Sequence, residues 1–190
     1  MTLVEVLVVL TVLGIGAGMA LPALQQFIHR NKILNSARSA VALMREARYE
    51  AIKLGTPCVV LADGVTNEVV AFVDVNGDLT FNPDPAETTF RATDYELRRF
   101  NLPAGVNFAA PGVQPPVSGF TVLPAEPWNG AVFQADGSVQ DLGAIRFGDQ
   151  RGNYLEASVD RAATARISLR KWNGTDWLEQ GRGGETWVWL

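Results

Sequence analysis

The sequence is short of the side chains on which most enzymes and metal sites depend. It holds one cysteine, Cys58, and one histidine, His29, in 190 residues. A lone thiol makes no intrachain disulfide and no cysteine-based metal site. A lone imidazole leaves little for histidine catalysis or histidine-ligated metal. No G-x-S-x-G, Walker loop or H-E-x-x-H occurs. No enzyme, cofactor or metal role is therefore expected. Charge is also sparse, at 19% of residues against about 25% in an ordinary domain. The 47% hydrophobic content still argues against disorder, and the length fits one domain with an appendage.

What is present is unevenly placed. No charged residue occurs from Val6 to Leu24, a run close to the roughly 20 residues that carry a helix across a bilayer core. A signal peptide would have a basic segment before such a run and a small-residue cleavage site after it. Nothing basic precedes Val6, and Pro22 leads into a helical pattern, so residues 1–24 are expected to be a retained anchor. Glu5 is the exception within it, and a carboxylate at membrane depth needs a partner. Two readings stand: pairing with an N-terminal amine, its own or a neighbour's, or a wet position at headgroup level.

Residues 25–55 read as an amphipathic stem helix. Phe27, Leu34, Val41 and Arg48 recur at seven-residue spacing, as do Ala37, Met44 and Ala51, forming a stripe from Phe27 to Ala51. Gly55-Thr56-Pro57 is a helix stop. The stem holds six Lys/Arg against two Glu, whereas residues 55–160 hold fourteen Asp/Glu against five Arg. This gives a basic stem below an acidic head. From Cys58 the pattern becomes strand-like: CVVLAD, EVVAFVDV, YELRRFNL, VNFAA, GFTVLP, GAVFQADGSV, AIRFGD, YLEASVD and ARISLRKW, broken by Gly, Pro, Asn and Asp. Residues 56–190 are thus expected to be a β-rich, antiparallel head packed on the stem, and the whole chain α+β.

Met1-Thr2-Leu3-Val4-Glu5, the apolar run and Pro22 together resemble the mature N-terminus of type IV pilins and type II secretion pseudopilins, with Met where Phe is usual at residue 1. The head order resembles the GspH/FimT branch of minor pilins and pseudopilins, through Met44–Ala51, the Asp74-Val75-Asn76-Gly77-Asp78 turn, Phe133–Gly137 and Arg166–Trp172. The resemblance implies cleavage by a prepilin peptidase, N-methylation, a single-pass anchor in the bacterial inner membrane with the head outside the cytoplasm, and assembly with other pilin or pseudopilin subunits into an extracytoplasmic filament used in adhesion, motility or protein transport. It assigns Met1, Glu5 and Pro22 to assembly, with Glu5 pairing a neighbour's N-terminal amine. Gly14, Gly16 and Gly18 precede Pro22, and glycine costs about 1 kcal/mol and proline about 3 in a helix. The resemblance implies that this stretch melts in the filament; the alternative is a Gly14/Gly18 face for close helix packing.

Asp74, Asn76 and Asp78 have the spacing that opens a calcium loop, but Leu79 and Pro85 stand where an EF-hand has Gly and Glu, so a tight Asn-Gly turn is expected. Near the C-terminus Arg170, Lys171, Trp172, Arg182, Trp187 and Trp189 interleave cations with aromatics, as non-specific nucleic-acid binding does. A DNA-binding minor pilin for DNA uptake is therefore the alternative function. Gly181-Arg182-Gly183-Gly184 lacks the second arginine of the tail motif in DNA-binding relatives, and the acidic head opposes DNA, so these aromatics are expected to serve packing between subunits.

Overall fold

The computed structural model describes residues 2–81, 93–124, 129–179, 187 and 189; residues 14 and 16–23 are described by backbone alone. A single helix, α1 (Leu3–Leu54), runs unbroken through Pro22, about 78 Å at 1.5 Å per residue. Gly55 ends it in the left-handed conformation (φ 67°), its N–H returning to Ala51 O, the stop read from Gly55-Thr56-Pro57.

The head forms two antiparallel sheets. One contains β1 (Cys58–Asp63), β2 (Glu68–Val73), β3 (Tyr95–Asn101) and β6 (Gly130–Phe133), in the order β3-β2-β1-β6. The other contains β4 (Val106–Phe108), β7 (Gly143–Asp149), β8 (Tyr154–Val159), β9 (Ile167–Trp172) and β10 (Trp177–Glu179), in the order β10-β9-β8-β7-β4, with β5 (Val117–Ser118) also on β7. This is the α+β arrangement expected, a long N-terminal helix on antiparallel sheets.

Among the described side chains of α1, those of the second half form the packed face. Ile33, Ala37, Ala40, Val41, Met44, Ala47 and Ala51 are buried at three- and four-residue spacing, the period of one helix face. They meet Cys58, Val60, Ala71 and Val73 of the first sheet and Ile145, Phe147, Leu155 and Ala157 of the second. The four alanines let the sheets approach the helix backbone closely, while burial of Met44 or a leucine contributes roughly 1.5–3 kcal/mol each. The runs VVLA and VVAFV are continuous because β1 and β2 are buried on both faces; Val59, Leu61, Val70 and Phe72 meet Leu123, Val132, Leu79 and Phe81 on the far side.

Two details depart from expectation. Phe27 is not on the core stripe but 62% exposed. A seven-residue repeat drifts about 20° per heptad on a straight helix, and burial begins only at Ile33. Arg48 holds its place on the stripe by donating Nε–H to Gly137 O at 2.8 Å. The segment GFTVLP forms no strand; it makes a single bridge, Thr121 to Gly130.

Candidate functional site

The first half of α1 is a bare arm. Leu3, Val4, Val6, Leu7, Val8, Val9, Leu10, Val12, Leu13, Ile15, Leu24, Phe27 and Ile28 are all exposed. Its one hydroxyl, on Thr11, donates to Leu7 O at 2.8 Å, which satisfies a polar group without water. Among the described residues no helix is long and apolar enough to cross a membrane; residues 16–23 of the apolar run lie outside the side chains described.

Glu5 has a role that the sequence reading missed. Thr2 is the N-cap of α1: its Oγ1 accepts from Glu5 N at 3.4 Å, and its own N–H donates to Glu5 Oε2 at 2.7 Å. This capping box satisfies two N-terminal donors and sets a carboxylate at the positive end of the helix dipole. The signal was legible as Thr2-x-x-Glu5. Met1 lies outside the described residues.

The C-terminal cations and aromatics do not form one surface. Along β9 successive side chains alternate faces, which splits the run Arg170-Lys171-Trp172. Arg170 bonds Glu156 Oε1 at 3.3 Å and, more closely, Asp160 Oδ1. Glu156, 2% exposed, also accepts from Arg146 Nε at 3.1 Å. Its burial raises its pKa, opposed by both arginines. Arg166 pairs with Glu179 at 2.8 Å, and Trp172 stacks tilted on Trp177 at 5.4 Å. Lys171, only 4% exposed, lies on the stem side. Its Nζ sits 5.0 Å from the Trp189 ring centre, and burial lowers its pKa. Arg30 of the stem stands over the same ring at 4.8 Å, so two cations, one from the stem and one from β9, share Trp189. Trp187 Nε1 donates to Leu178 O at 3.1 Å, filling an acceptor on edge strand β10. Thus Trp187 and Trp189 are half-buried against the chain's own core. Arg182 lies outside the described residues.

Residues 75–80 form a bend held by side chains rather than the tight turn expected, with Gly77 at φ 78°. Asp74 accepts from Gly77 N at 2.8 Å and Leu79 N at 3.1 Å, and its pKa is raised chiefly by burial. Asp94, unremarked in the sequence, accepts from Val75 N at 2.8 Å. Asp74, Asp78 and Asp94 each bring an oxygen within 4.8 Å of the others. They are the described residues that could contact a cation, although backbone N–H groups already engage Asp74 and Asp94.

No protein-family model and no curated protein matches the chain. Among solved structures, the fold is similar to the minor pseudopilin EpsH of the type 2 secretion system of Vibrio cholerae, at 14% identity, covering 74% of this chain and 96% of that one, with a TM-score of 0.47.

Proposed function

We propose that the chain is a structural subunit, a pilin or pseudopilin, of a type IV pilus or type II secretion pseudopilus. It is held in the inner membrane by α1 before assembly and enters an extracytoplasmic filament through the same helix. The observation that carries this is the division of α1: packed from Ile33 onward, with every described side chain from Leu3 to Ile28 exposed. A bare apolar helix in water is unfavourable by roughly 25 cal/mol per Å². A bilayer covers it in one state and neighbouring arms cover it in the other. In this reading a prepilin peptidase prepares the N-terminus, Glu5 meets a neighbour's N-terminal amine, and the Gly14–Pro22 stretch, the weakest of the helix, gives way on assembly. The role is a scaffold, not a catalyst. The test is removal of residues 1–24: the shortened chain should be absent from filaments, and its entry at wild-type level would overturn the proposal. DNA uptake gains no support, since Arg170 is spent on Glu156 and Asp160 and Lys171 is buried.

A further inference from the structure

A cavity of 240 Å³ opens where the arm leaves the head, lined by His29 and Arg30 of α1, Asp149, Arg151 and Asn153 of the β7–β8 turn, and Trp189. It sets two arginines against one aspartate. The Asp149 carboxylate is engaged by its own turn, accepting from Arg151 N (2.9 Å), Asn153 N (2.9 Å) and Asn153 Nδ2 (2.8 Å). Arg30 and Arg151 are exposed, and among the described residues neither makes an ion pair. Arg30 is held over Trp189, so its planar fork is pre-positioned rather than free to sweep solvent.

The height of this cavity is set by the helix. Arg30 lies six residues beyond Leu24, the last residue of the charge-free run, about 9 Å along the axis. A bilayer's polar layer extends roughly 5–8 Å beyond each side of its hydrocarbon core. Helical side chains lean toward the N-terminus, which turns Arg30 back toward that layer. Tryptophan beside arginine is also the pairing favoured at this depth.

We infer that this cavity takes the phosphate headgroup of an anionic phospholipid while the arm is in the bilayer, with Arg30 and Arg151 on the phosphate oxygens, His29 beside them and Trp189 at the interface. The inference rests on the anchor reading above. It gives the head a fixed seat on the membrane, released when the arm is drawn into a filament.

The test uses the full chain. Flotation with phosphatidylcholine vesicles first reports whether the arm inserts. Native mass spectrometry, in detergent supplemented with equal phosphatidylcholine and phosphatidylglycerol, then reports which lipid is retained. Phosphatidylglycerol should be preferred, and Arg30→Gln and Arg151→Gln should each lower the preference about five-fold. Arg38→Gln, an exposed stem cation away from the cavity, should leave it unchanged. Flotation with equal retention of both lipids in every variant would overturn this inference and leave the anchor standing. Failure to float would overturn both. Displacement of the lipid by millimolar inorganic phosphate would make the cavity a general phosphate site and overturn the lipid assignment.

Discussion

Glu5 can act in two ways that one pair of substitutions separates. Within its own chain it closes the capping box with Thr2; between chains it is proposed to meet a neighbour's N-terminal amine. Glu5→Gln keeps an oxygen for Thr2 N–H, since glutamine also serves in a capping box, but removes the charge. Glu5→Ala removes both. Loss of the cap costs about 1 kcal/mol, and loss of the charge at the dipole about 0.3–1 kcal/mol. Breaking a buried ion pair from one side costs about 3–5 kcal/mol, which is more than a hundred-fold in an equilibrium. If the carboxylate pairs with a neighbour, Gln and Ala should both drop out of filaments by about that factor. Thr2→Val, which loses only the cap, should fall by about five-fold at most. The assay is quantitative mass spectrometry of purified filaments, with membrane extraction to verify that all three variants insert. Glu5→Gln entering filaments within five-fold of wild type would refute the intersubunit pair and leave Glu5 as a cap.

Other expectations follow from the head. Met44→Ala, at a fully buried site between helix and sheets, should cost about 2–5 kcal/mol in denaturant unfolding. Glu156→Leu, which takes the carboxylate from the largely buried Arg146 and leaves Arg170 with Asp160 alone, should cost about 3–5 kcal/mol by the same measurement. Burial pushes the Cys58 thiol from 9.0 up to about 12. The unfolded chain therefore loses this proton first, and stability should fall by about 1.4 kcal/mol per pH unit as pH rises from 9 towards 12. Cys58→Val should remove that component of the slope, and an unchanged slope would contradict it.

Local patterning in the sequence located most of the fold. β1, β2, β3, β7, β8 and β9 fall where alternating or β-branched runs were read, and Gly55 stops the helix as its position predicts. Partners distant in sequence were not legible. The division into two sheets depends on β6 pairing with β1 across nearly seventy residues, and nothing local to Gly130–Phe133 signals it. Strands β5 and β10 are two and three residues long, too short to show a period. The arrangement of the C-terminal cluster was not legible for a physical reason: composition counts charges, but it does not see that alternation along β9 sends Lys171 inward, or that Glu156 on the neighbouring strand meets Arg170. The arm was the most legible part, because a charge-free run from Val6 to Leu24 is a purely local signal.

The central claim is that the arm is covered by lipid before assembly and by other arms after it. With Cys58 buried, a single cysteine placed by Leu10→Cys reports on this directly. In membranes it should react with a lipid-soluble maleimide and not with a charged, water-soluble one. In purified filaments a bismaleimide of short reach should join it to a second subunit. Labelling by the water-soluble reagent in both states, with no crosslinked subunit, would contradict the account.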